Sequence, residues 1–169
     1  MIIRRENKND FLEVNLLIKE AFNRDFEKKL VEKIRKHPKH INELSLIAED
    51  TNEIAGHILF SPIVVKGELD HLGGLALAPL SVKPNYQNQG VGTALVNQGL
   101  MLAKALGYKF VIVLGHSNYY SKFDFKKASV FNIKCPFNAT EESFMAIELV
   151  KNSLANVSGT VEYLFKFYN

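Results

Sequence analysis

The 169-residue chain is 47% hydrophobic and 23% charged, an ordinary globular balance that excludes a low-complexity or disordered chain. A formal net charge of +3 suits an anionic ligand but lacks the dense stripe of a dedicated nucleic-acid binder, and a single cysteine, Cys135, excludes an internal disulfide. The opening "MIIRRENKND" turns charged at once and no apolar run reaches the roughly 20 residues of a membrane span, so the expectation is one cytoplasmic domain over residues 1–169 with no membrane partner.

"MIIRR" is a short predicted strand. Asp10 is placed to cap a helix whose apolar residues Phe11, Val14, Ile18 and Phe22 recur at helical spacing. A second helix follows around Phe26, Leu30 and Ile34, with Pro38 just beyond its end. "LSLIAED" and "EIAGHILFSPIVV" read as two strands joined by the turn-rich "EDTNE", a hairpin. Gly67 marks another turn, and "ELDHLGGLALAPLSV" is apolar on both faces near its centre, as a strand inside a sheet is. The helix from Gly90 to Leu106 is expected to bury Val91, Ala94, Leu95, Leu102, Ala105 and Leu106, with Gly107 as its C-terminal cap. "KFVIVL" is a buried strand, so strand, helix and strand form a βαβ unit with a parallel pair and a right-handed crossover. "FMAIELV" and "TVEYLFKFY" are two more strands, the second with Val161, Tyr163, Phe165 and Phe167 on one side. The fold class is therefore α/β, a mixed sheet with two N-terminal helices.

The βαβ unit carries the chemistry. "SVKPNYQNQGVGTALVNQGL" leads from the buried strand through a Pro-Asn-Tyr turn into Gly90-Val91-Gly92-Thr93 and a helix. N–H groups in a helix's first turn lack intrahelical partners, and the helix dipole adds positive charge, which together make an anion site. Four readings of the glycines compete. They could simply start a helix tightly against the sheet. A nucleotide P-loop needs Gly-Lys-Ser/Thr, but Gly92 is followed by Thr93 and Ala94 with no lysine. A dinucleotide fingerprint needs a third glycine that Asn97 and Gln98 do not supply.

The remaining reading is by resemblance. Gln87-x-x-Gly90-x-Gly92, after a strand ending "LAPLSVKPNY", resembles the acetyl-CoA motif Gln/Arg-x-x-Gly-x-Gly/Ala of the GNAT N-acetyltransferases. Downstream, "VLGHSNYYSKFDFKKA" resembles that family's Tyr-x-x-x-Gly-Phe segment, with Tyr120 and Phe125 in the aromatic positions and Asp124 in place of the glycine. Aspartate tolerates a left-handed backbone better than most residues, so the turn can survive. The doubled tyrosine and "ESFMAIEL" resemble a branch of uncharacterised GNAT proteins often labelled predicted N-acetyltransferases; Ser117 and Asn118 stand where that branch often has a proline and an acidic residue. The likeness runs over nearly the whole chain and is strongest from Gly56 to Leu149.

The resemblance implies the GNAT fold, a mostly antiparallel sheet with a central parallel βαβ unit and flanking helices. It implies acetyl-CoA as cosubstrate, no metal, and transfer of acetyl to a primary amine on a small molecule or a protein. It implies that pantetheine lies along Leu80-Ser81-Val82-Lys83, with the Val82 N–H as oxyanion donor. It places the pyrophosphate on the N–H groups of Gln87, Asn88, Gln89, Gly90, Val91, Gly92 and Thr93. Tyr120 becomes the acid for the departing sulfur, and Tyr119 a packing residue or pantetheine contact. A non-catalytic acyl-CoA-binding or sensor domain is the alternative from another class. Glu68, Asp70 and His116 are candidates for the base and none is assigned; His57 and His71 read as structural. The basic run "AFNRDFEKKLVEKIRKHPKH" reads as a solvated helix face or a surface for acidic ligands, with Phe22 and Asp25 at the edge of an acceptor pocket. No interleaved aromatics offer a stacking platform, which argues against nucleic acid. A homodimer is left open.

Overall fold

The computed structural model describes residues 1–67 and 71–164. The chain packs as two compact units, Met1–Ser61 with Ala78–Leu102, and Pro62–Leu77 with Ala103–Asn169. Two strands, β3 (Glu53–Lys66) and β4 (His71–Val82), run through both.

In the first unit, β1 (Ile2–Arg5), β2 (Ser45–Asp50) and β3 pair antiparallel in that order. The β2–β3 hairpin turns on Thr51 and Asn52, whose φ values of 48° and 65° are both left-handed. Such a two-residue turn matches the twist of the strands it joins, so the "EDTNE" expectation holds. Two helices precede β2: α1 (Phe11–Phe22) and α2 (Phe26–Arg35). They bury Val14 and Ile18 on the first and Leu30 and Ile34 on the second, as their periodicity predicts, and also Leu17 and Val31; Phe11 and Phe22 are half-buried. Asp10 departs from its expected role. Its carboxylate makes no cap bond to α1. It accepts instead from the Asn7 N–H at 2.7 Å and the Arg4 guanidinium at 2.8 Å, and that guanidinium holds it below the usual carboxylate range. Phe26, expected on the apolar side of α2, is 39% exposed, while Glu27 is buried against Arg24.

The third helix of this unit, α3 (Val91–Ala105), lies on β3 through two glycines. A Cβ on Gly56 would fall 2.9 Å from Leu95 Cδ1 and 3.0 Å from Val91 Cγ1, and one on Gly99 would meet the Phe60 ring at 2.3 Å. The buried stripe is thus Val91, Leu95, Val96, Gly99 and Ala103. Ala105 and Leu106, expected on that face, are exposed. Packing is closest where the helix has no side chain, and a search for apolar side chains passes over Gly99. Gly107 caps the helix as predicted, at φ 90°, with Tyr108 N–H reaching back to the Ala103 carbonyl at 3.1 Å.

In the second unit, Leu75–Leu77 of β4 pair parallel with Val111–Val113 of β5 (Phe110–Leu114), the parallel pair that the βαβ pattern predicts. After β5 come a single helical turn, α4 (Ser117–Tyr120), and two short strands, β6 (Lys126–Lys127) and β7 (Ile133–Lys134). β8 (Phe144–Glu148) and β9 (Gly159–Tyr163) follow. β8 lies antiparallel between β5 and β6, and β9 pairs antiparallel with Ile63–Lys66 of β3 and parallel with β7. Val161 and Tyr163 face inward as expected; Phe165 and Phe167 lie outside the described residues. The core of this unit gathers Ile63, Phe110, Ile112, Ile133, Phe144 and Val161 among others. The fold class is as expected: mixed α/β, mostly antiparallel, with β4–β5 parallel. Among the described residues no helix is long and apolar enough to cross a membrane.

Candidate active site

The glycine loop belongs to the first unit. The parallel register ends at Leu77, two residues before Pro79, which has no N–H to give, while β4 itself continues to Val82. Leu80 and Val82 are half-buried on this last stretch. Ser81 between them is buried, and its Oγ has no hydrogen-bond partner among the described residues. A strand pattern gives no sign of an orphan hydroxyl.

Beyond β4 the chain is held by its own side chains. Lys83 N–H donates to the Ala55 carbonyl at 2.9 Å. Pro84–Tyr86 form one tight turn. Glu53 on β3 pairs with Lys83 Nζ and accepts from the Tyr86 hydroxyl at 3.0 Å, and these two donors lower its pKa. Gln87 Nε2 donates to the Val82 carbonyl at 3.1 Å, and Gln89 Nε2 to the Asn85 carbonyl at 2.7 Å. The Gln87 N–H, expected to face a ligand, donates to the Pro84 carbonyl at 3.3 Å. Gln87 therefore acts on the loop through its side chain.

Asn88 and Gly90 adopt left-handed φ values of 60° and 84°. A Cβ on Gly90 would meet nothing within 4 Å, so this glycine is required for its backbone conformation and leaves an open side. The first bond of α3 runs from Ala94 N–H to the Gly90 carbonyl, 2.9 Å. The N–H groups of Val91 and Gly92 precede it, in the turn where a helix has no acceptors of its own to offer. The loop Gln87–Gly90 is solvent-exposed. An exposed turn of backbone donors at a helix N-terminus can hold an anion.

Tyr120 belongs to the second unit. It ends α4, whose first bonds run from the Tyr119 and Tyr120 N–H groups to the His116 carbonyl at 3.0 and 3.1 Å. Its ring is 8% exposed and packs edge-on against Tyr119 (centroids 5.1 Å) and Phe125 (5.6 Å). Its hydroxyl makes no hydrogen bond among the described residues, and burial pushes its pKa well above the usual phenol value. Tyr120 is thus a buried phenol that holds its proton. Tyr119 packs on Tyr120 and Phe123 and carries Lys122 Nζ 3.9 Å over its ring. Asp124 adopts φ 69°, the left-handed conformation expected of it in the glycine position.

Of the histidines, His116 is exposed at the start of α4. His57 is wholly buried in the first unit, 3.2 Å from Ser45 Oγ and 3.6 Å from Glu6, and burial lowers its pKa to about 4. The same cluster holds Arg35, which pairs with Glu6, donates to Asn15 at 2.8 Å and stacks on the Phe11 ring at 4.1 Å. Arg35 lies in the basic run expected to form a solvated face or a surface for acidic ligands, yet its side chain is 5% exposed. Its partner Glu6 is 29 residues away and invisible to helical periodicity. Asp25 forms ion pairs with Lys28 and Lys19 at 3.3 and 3.6 Å. Glu68 and Asp70, weighed as bases, lie outside the described residues, and of His71 only the backbone is described.

The model of the Acetyltransferase (GNAT) family matches residues 11–125. The uncharacterized N-acetyltransferase YhbS of Escherichia coli K12 is 35% identical over 164 residues, 96% of each chain. The crystal structure of Escherichia coli YhbS in complex with CoA superposes with a TM-score of 0.89 at 33% identity, covering 96% of this chain and 88% of that one. A GNAT family acetyltransferase from Brucella melitensis, in complex with acetyl-CoA, gives a TM-score of 0.79 at 26% identity, covering 99% and 97%. A chain carrying both the glycine loop and the buried phenol, matched over its length by these relatives, belongs to the GNAT family and is an N-acetyltransferase.

Proposed function

We propose that this N-acetyltransferase uses acetyl-CoA and passes its acetyl group directly to a primary amine on a small molecule or a protein. The relatives crystallised with CoA and acetyl-CoA support the cosubstrate. So does one feature of this chain: the open side of Gly90 fits a close approach by pyrophosphate. Asn88 through Gly92 would offer N–H groups to the phosphates, with Thr93 beside them at the helix start and Gln87 keeping the loop in shape. Leu80 and Val82 would line the arm, the Val82 N–H would donate to the developing oxyanion, and Tyr119 would flank the arm or pack beside it.

The transfer forms a C–N bond as the amine attacks the thioester carbon, and the C–S bond breaks. The amine loses one proton to water, and the departing sulfur takes one from Tyr120. The observation that carries this reading is the Tyr120 phenol: its ring is buried, that burial holds its proton, and its hydroxyl is bonded to no other group among the described residues. General acids of this kind contribute about 100-fold or more to rate. Tyr120→Phe is therefore expected to lower kcat about 100-fold while acetyl-CoA still raises the melting temperature. Thiol release over a panel of polyamines, amino acids, aminoglycosides and peptides would measure this and name the acceptor. Normal turnover by Tyr120→Phe removes it from the mechanism, and acetyl-CoA binding with no release for any amine would favour a binding domain.

A further inference from the structure

We infer that Gly115 is a positioning residue for the Tyr120 phenol, an inference that rests on the acid role proposed for Tyr120. Gly115 follows β5 directly, and its φ lies outside the left-handed range that favours glycine. Backbone conformation therefore does not demand a glycine there. Space does: a Cβ on Gly115 would sit 2.6 Å from Tyr120 Cε2 and 3.2 Å from Cδ2, where ordinary contact begins at 3.4 Å.

Neither side can give way easily. Gly115 N–H is bonded to the Ser143 carbonyl at 2.9 Å, which holds that backbone to the start of β8. The Tyr120 ring is walled by Tyr119, Phe125 and Phe123, with centroids at 5.1, 5.6 and 6.5 Å. Gly115 is the floor on which the ring rests. Adding one methyl would push the ring by about 1 Å, and displacements of that size cost roughly 10–100-fold in reactions that depend on alignment. A proton donor moved off the leaving sulfur loses rate without losing cosubstrate affinity, because the phosphate loop is untouched.

The test combines Gly115→Ala with Tyr120→Phe. Gly115→Ala is expected to lower kcat about 10–100-fold and to leave the KM for acetyl-CoA within about twofold. In the Tyr120→Phe background the same change is expected to cost nothing further, since the proton it misplaces is already gone. An equal loss in both backgrounds would show a structural effect and overturn the inference. So would parent-like turnover in Gly115→Ala when Tyr120→Phe is slow, and that outcome leaves the acid role standing. Full turnover by Tyr120→Phe overturns both. Should Gly115→Ala fail to fold, Gly115→Ala/Tyr120→Leu is expected to fold because the colliding ring has been removed. Failure of that pair would assign the glycine to something other than Tyr120.

Discussion

His57→Gln should remove a specific acid sensitivity from the protein. The imidazole is wholly buried, and desolvation lowers its pKa from the ordinary 6.5 to about 4. The Glu6 carboxylate at 3.6 Å pulls the other way, but burial outweighs it, and Arg35 and His40 oppose protonation further. The sign follows from linkage. Below the ordinary value the unfolded chain takes up a proton that the folded chain refuses until about pH 4, so stability falls as pH falls through that window. The 2.5-unit gap, 6.5 minus 4, corresponds to about 3 kcal/mol in all, and about 2 kcal/mol is already lost near pH 5. The assay is urea unfolding of the parent and His57→Gln at about pH 7.5 and about pH 5. Ionisable groups remote from His57 are common to both proteins and cancel in the comparison. The variant starts less stable but should lose about 2 kcal/mol less on acidification. Equal losses would refute the account of a histidine kept neutral by burial.

Three further outcomes follow from single residues. Arg35→Ala leaves Glu6 buried without its cation and should cost about 3–5 kcal/mol in urea unfolding; a loss under about 1 kcal/mol would mean that the pair is idle. Asp124 holds a left-handed φ of 69°, so Asp124→Gly should match the parent within about 1 kcal/mol and Asp124→Val should lose about 1–2 kcal/mol. Gly90→Ala sets a methyl on the open side of the loop at a φ of 84° and should weaken acetyl-CoA binding about tenfold by calorimetry; an unchanged Kd would take the phosphates elsewhere.

Local signals carried far in this chain. "EDTNE" foretold a hairpin because Thr51 and Asn52 sit among turn-forming residues, and that chemistry acts within four residues. Gly107 and the run Phe110–Leu114 were legible for the same reason. The family motif pointed to Tyr120, which proves to be a buried phenol. Long-range features left no such trace. The Glu6–Arg35 pair and its histidine join residues from the segment after β1, from α2 and from β3 that no spacing rule connects. The face of α3 was misjudged at Ala105 and Leu106 because the closest approach is made by Gly99, through an atom it lacks. Ser81 reads as any strand serine until its hydroxyl is found without a partner.

The way Glu53 grips Lys83 and Tyr86, and Gln87 grips the end of β4, bears on the cost of binding. A loop left to wander would have to be frozen by whatever docks there, at about 0.5–1.5 kcal/mol for each side chain immobilised. Here the freezing is part of folding. An anion arriving at this helix start meets donors already arranged, so less of its interaction energy goes into entropy and more remains as affinity. Loosening Glu53 is therefore expected to weaken anion binding at the helix start by way of the loop alone.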